Sequence, residues 1–240
     1  MYDVSRFSLS DMTRCGMHLR KLGASATSME DAAQRIVTYF HGELTSASGE
    51  HACALVRMFI TLPYTQLDAE QRNFASGLLP EIVAEPTTKC LTLLATADDE
   101  AAWNSRRTST GHQALPLPSE ESISRSPMIS QLIRQLGVEV GTLLKPDANV
   151  VLDDAQHTFN VFHVGDALGS PYIPAQSEFV MPYGISSVLG FGGLLPPGEL
   201  FATILFTKTP VSRETAELFR SLALNVKVAL LPFSGVKVFT

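Results

Sequence analysis

Apolar residues recur along residues 8–22 at Met12, Cys15, Leu19 and Leu22, spaced three, four and three apart. That spacing predicts a short helix with a heptad-like stripe. Two heptads are too few for a coiled coil alone, so the stripe suits packing on its own domain as well as on a partner. A second helix starts near Thr27, where Thr27 and Glu30 have the spacing of a capping box. Behind it Ala33, Ile36, Val37, Phe40 and Leu44 fall on one face, and Gly42 with the Ser/Gly stretch 46–49 marks the exit. Residues 51–61 then alternate Ala52, Ala54, Val56, Met58 and Ile60 with Cys53, Leu55, Arg57 and Phe59. Both faces are mostly apolar, which predicts a strand inside a sheet covered on both sides.

A helix over 67–79 and a buried strand over 89–97 follow. Residues 105–126, rich in serine and threonine, read as a long loop. Ser126-Pro127 opens another helix, with Pro127 at the tolerated first position and Ile129, Leu132, Ile133 and Leu136 on one face; Gly137 ends it. Residues 157–164 alternate, with His157, Phe159, Val161 and His163 on one side. After a loop over 165–181, strands at 186–194 and 199–207 flank the turn Pro196-Pro197-Gly198. A last helix, capped by Ser212 and stopped by Pro232, carries Phe219, Leu222, Ala223, Val226 and Leu230 on its apolar side. The expected class is α+β, an antiparallel sheet with helices on its faces.

Composition narrows the function. The chain has 240 residues, 45% hydrophobic and 18% charged, with a net charge of −6. That leaves ample material for a core and excludes disorder. With no basic run, nucleic acid is not expected as a partner. No apolar run is long enough to span a bilayer, so no membrane partner is expected. Three scattered cysteines and no signal-like N-terminus fit a reducing cytoplasm.

Gly190-Phe191-Gly192-Gly193 follows a strand and precedes another, so it is neither a Rossmann nor a phosphate-loop motif. It reads as a close backbone approach in a strand or as a ligand contact. No zinc spacing and no nucleophile elbow occur. His157 and His163 stand about 20 Å apart along an extended strand and cannot share one ion; each is a structural histidine or, singly, a haem ligand. Cys53 and Cys90 sit in apolar strands, where a thiol is inert. The richest polar run is Trp103-Asn104-Ser105-Arg106-Arg107-Thr108-Ser109-Thr110-Gly111-His112. An aromatic face, guanidinium forks and an imidazole suit a pocket for a polar small molecule. A loop held by its own Ser and Thr turns is the alternative.

This run belongs to a longer set: Pro116-Leu117, Pro127 to Leu132, Phe162-His163-Val164, Gly169 to Gln176, Pro182 to Ile185 and Ser187 to Gly193. Together they resemble the GAF-like sensory region of bacterial signalling proteins, of the kind attached to histidine kinases, over residues 27–232. Residues 1–26 would form an N-terminal helix and 233–240 a tail. The resemblance implies a GAF-like antiparallel sheet of five or six strands, helices on both faces, a small-molecule pocket on one side and a homodimer formed through terminal helices. It implies a non-enzymatic cytoplasmic input domain for a histidine kinase or another signalling output. No output module follows the last helix, so the chain is expected to be a stand-alone sensor or an excised input domain. The expected ligand-binding residues are Trp103 for stacking, Arg106 for an anionic group, and Asn104, Ser109 and His112 for polar contacts, with His163 and Tyr172 from the later strand and loop. Three alternatives remain: a haem gas sensor with His163 or His112 as axial ligand, a thiol-dependent reductase, and a degenerate domain that makes only protein contacts.

Overall fold

The computed structural model describes residues 1–78, 85–100, 103–109, 111–144, 160–196 and 198–239. Its centre is a six-stranded antiparallel sheet. A two-residue strand β1 (Tyr2–Asp3) pairs in parallel with β2 (Leu44–Thr45) outside it. The main sheet comprises β3 (Cys53–Pro63), β4 (Lys89–Asp98), β5 (Ala114–Leu117), β6 (Phe162–Val164), β7 (Ser187–Leu195) and β8 (Glu199–Thr207), in the order β5-β4-β3-β8-β7-β6. The two central strands thus come from opposite ends of the sequence. Nearly every residue of β3, β4, β7 and β8 is buried, as expected of strands covered on both faces.

One face carries α1 (Leu9–Ala24), α2 (Met29–Glu43) and α7 (Arg213–Leu230), closing a core that includes Ile36, Phe40, Met58, Phe191, Phe201 and Phe219. Here α1 packs on α7 of the same chain. An added Cβ at Gly23 would stand 2.6 Å from the Ala229 backbone, so the contact requires glycine. The short helix α3 (Ala69–Leu78) lies beside β5 and buries Ala75 into this same core. The other face carries α4 (Glu120–Ser124), α5 (Pro127–Leu136), α6 (Val140–Leu144) and the segment 165–185, over Leu55, Phe59, Leu93, Phe162, Ile204 and Phe206. This is the expected α+β arrangement, an antiparallel sheet of six strands with helices on both faces.

The local reading shifts in several places. The cap of α2 is Ser28, whose hydroxyl accepts from the Asp31 N–H, one residue beyond the Thr27–Glu30 pair; Thr27 instead binds the Asp31 carboxylate. The expected loop over 105–126 contains β5 and α4. Pro116 is tolerated in β5 because that strand lies at the sheet edge. In 165–185 the chain forms a wide helical turn over Gln176–Val180, with i→i+5 bonds from the Val180 and Met181 amides. His157 and Phe159 lie outside the described residues, and β6 begins at Phe162. At Gly192 a Cβ would come 2.1 Å from the Phe201 carbonyl oxygen, so this glycine serves close approach of β7 to β8. Both ends pack on the helical core: Val4 and Phe7 are within it, and Phe233, Val238 and Phe239 lie against it.

Candidate functional site

The second face is not filled. Between the sheet, the start of α5 and the wide turn lies a cavity of about 380 Å³, within the range of small-molecule sites. Its floor is Leu55, Arg57 and Phe59 of β3, Leu91 of β4, and Ile204 and Phe206 of β8. Pro127, Met128, Ile129 and Leu132 of α5 form one wall, and Ile173 to Ala175 with Glu178 and Phe179 another. Trp103 and His112 complete it from the connection between β4 and β5. Aromatic contacts fix the Trp103 side: its ring lies 5.4 Å from Tyr183 and 6.5 Å from Phe179, and Phe179 stands edge-on to Phe206 at 5.1 Å.

Arg57 is the buried charge in this mostly apolar lining, Glu178 being exposed at its rim. It is only 8% exposed. Its Nη2 donates to Ser109 Oγ at 2.7 Å, and its Nε has no partner among the described residues. Burial pulls its guanidinium below the ordinary value, with the Asp98 carboxylate opposing. Across the sheet Arg57 is in register with Thr96, whose Oγ1 is also buried and without a partner among the described residues. Asp98 Oδ1 accepts from the Glu100 N–H, while Oδ2 is likewise unmatched. Burial pushes the Asp98 carboxyl up to about 6, and the neighbouring Asp99 charge adds to the rise. His112 holds a left-handed backbone, φ 54°. Close surroundings and the Arg57 charge push its imidazole down, favouring the neutral ring. Apolar walls converge on a small polar end.

Of the residues expected at a site, Trp103 and His112 line the cavity. Ser109, 1% exposed, serves it through Arg57. Asn104 ties the connection down, accepting from the Asp98 N–H at 2.7 Å and donating to its carbonyl at 3.0 Å. Arg106 points elsewhere. It is buried toward the helical core, bonded to Glu30 at 2.6 Å and Asp68 at 2.7 Å, with its guanidinium 4.5 Å from the Phe239 ring centre. His163 lies outside the cavity, its Nε2 2.9 Å from the Val211 carbonyl oxygen and its N–H bonded to Gln135. Tyr172 packs against the second core next to Ile173 without lining the cavity. Arg57 was not among the expected site residues. Its signal was a lone charge amid the apolar run Val56, Met58, Phe59 and Ile60.

No protein-family model and no curated protein matches the sequence. Among solved structures, the chain is similar to the GAF domain of a phosphoenolpyruvate-protein phosphotransferase from Coxiella burnetii. That match has 11% identity, covers 94% of each chain and has a TM-score of 0.43. It is also similar to an N-acylhomoserine-lactone-dependent LuxR-family transcription factor from Burkholderia cenocepacia, at 11% identity, 94% of this chain and 98% of that one, TM-score 0.38. A bacteriophytochrome from R. palustris matches at 10% identity over 96% of this chain and 39% of its own, TM-score 0.42. These are loose likenesses, with no bearing on what the chain binds. No helix among the described residues is long and apolar enough to cross a membrane.

Proposed function

We propose that the chain is a cytoplasmic sensory domain that binds an amphiphilic small molecule, its apolar body in the cavity and an anionic or acceptor head at Arg57. One observation carries this reading: a guanidinium 8% exposed, with Nε unmatched among the described residues, at the floor of an apolar cavity. Leaving such a group unmatched costs about 1–3 kcal/mol, more when charged, and a ligand oxygen that drew the guanidinium toward the cavity would remove that cost. Trp103 would stack on the ligand and neutral His112 would offer a donor or acceptor.

The reading is one of binding without catalysis. Cys15, Cys53 and Cys90 are fully buried, and burial pushes each thiol up to about 12, unsuited to attack. Transmission would run through the sheet to α1 and α7. Both helices leave apolar side chains exposed, Leu9 and Met17 on α1 and Leu224 and Val228 on α7, which a second copy would cover in passing the signal to a histidine kinase or another output. A ligand acts this way only by preferring one of two states.

Trp103 is the only tryptophan, so its emission reports on the cavity directly. Titration with 8-anilinonaphthalene-1-sulfonate, an anionic apolar probe, is expected to saturate and alter Trp103 emission. Arg57→Met is expected to weaken binding about tenfold, the loss of one charged hydrogen bond. Saturable binding that Arg57→Met leaves unchanged would overturn the assignment of the head-group site, and no saturable binding would overturn the sensory reading.

A further inference from the structure

Away from the cavity, three sequence-distant segments bring His41, His51 and Asp99 together. His41 lies in the last turn of α2, His51 in the connection from β2 to β3, and Asp99 just after β4. The His41 Nε2 is 3.1 Å from Asp99 Oδ1. The two imidazole rings meet edge to face, 5.4 Å between centres. One ligand atom from each of the three residues lies within 4.8 Å of the others.

We infer that His41, His51 and Asp99 form a binding site for a zinc-class divalent cation. Two imidazoles and one carboxylate are the donors that such borderline ions take, and they leave a fourth position for water. Ligand atoms around a tetrahedral zinc stand about 3.3 Å apart, from bond lengths of roughly 2.0–2.1 Å. His41 and Asp99 are already near that spacing, and exposed His51 brings a ring nitrogen within 4.8 Å of both. Lys208 Nζ holds the other carboxylate oxygen, Oδ2, at 2.8 Å and so keeps Oδ1 turned to the histidines, an orienting partner of the kind metal ligands use. Calcium and magnesium are disfavoured, because they select oxygen donors.

Calorimetric titration of the EDTA-stripped full chain with zinc tests this. One zinc per chain is expected, with affinity at least tenfold weaker in His51→Ala and in Asp99→Asn. His112→Ala and His163→Ala are expected to bind as wild type does, since those histidines lie elsewhere. His51 is exposed in a connection, so its variant keeps the fold, which an unchanged near-ultraviolet circular dichroism spectrum checks. Cobalt(II) added to the wild type should give a visible absorption band that zinc displaces and magnesium does not. Absence of zinc binding, equal binding by His51→Ala, or displacement by magnesium at equal concentration would each overturn the site.

Discussion

The two faces of the sheet are built from similar apolar residues but closed differently, and each has a buried arginine that displays the difference. On the helical face, Arg106 is matched by Glu30 and Asp68 and covered by Phe239, and the core around it is sealed by α1, α2 and α7. On the other face, Arg57 has one hydroxyl partner and an unmatched Nε beside a cavity. Residues that merely hold a fold together have their polar atoms satisfied. Departures from local consistency concentrate at functional or strained sites, and an unmatched charge beside open space is the departure on which the proposed head-group site rests.

The largest effect should separate the faces by truncation. Phe219 is fully buried on the sealed side, stacked on Phe7 at 4.8 Å and beside Phe191 at 5.9 Å. Phe219→Ala is expected to cost about 3–5 kcal/mol in urea unfolding. Met128→Ala, in the cavity wall, should cost about 1 kcal/mol or less, since it widens a space that is already open. Equal losses would show that the cavity wall is packed like the core. Next come the arginines. Arg106→Ala should lower stability by about 2 kcal/mol, because it removes a buried guanidinium that Glu30 and the partly exposed Asp68 share. Arg57→Met should leave the unfolding midpoint unchanged or raise stability by about 1 kcal/mol, since a buried charge gives way to apolar packing. A loss as large as that of Arg106→Ala would make Arg57 a structural residue and remove the contrast.

The smallest effect depends on pH. The Asp98 carboxyl titrates at about 6 in the fold and near 3.9 in an unfolded chain. A raised carboxyl favours folding below the unfolded value, and that contribution is lost as pH rises through the folded one. Asp98→Asn should therefore stabilise the protein relative to wild type at about pH 7, by of order 1 kcal/mol, with the gain vanishing near pH 4. Urea midpoints at the two pH values check this; an equal difference at both would mean that Asp98 titrates normally.

Much of the fold was legible because it rests on local patterns. The alternation of β3, the Pro127 start and Gly137 end of α5, and the Ser212 cap of α7 all stand where the residue spacing puts them. The connection over 105–126 was misread because serine and proline favour loops. Pairing with β4 overrides that preference at Ala114–Leu117. The site was legible by half. Trp103 and His112 were visible as unusual residues in a polar run, but no pattern along the chain tells which of two adjacent arginines turns inward, or that Arg106 meets Glu30 across 76 positions. Arg57 could be seen only as an anomaly, since its unmatched Nε and the cavity beside it exist only in the folded chain.

The tail has a consequence for the order in which the protein can assemble. The first turn of α2 donates the Met29 and Glu30 N–H groups to the carbonyls of Lys237 and Val238, at 3.1 and 2.8 Å. Strand β3 finds its second neighbour only in β8. Helix α2 and strand β3 leave the ribosome well before the groups that complete them. Such distant pairings make folding slow. The sheet's N-terminal half stays half-paired until those later segments have emerged, which prolongs its exposure to aggregation during synthesis.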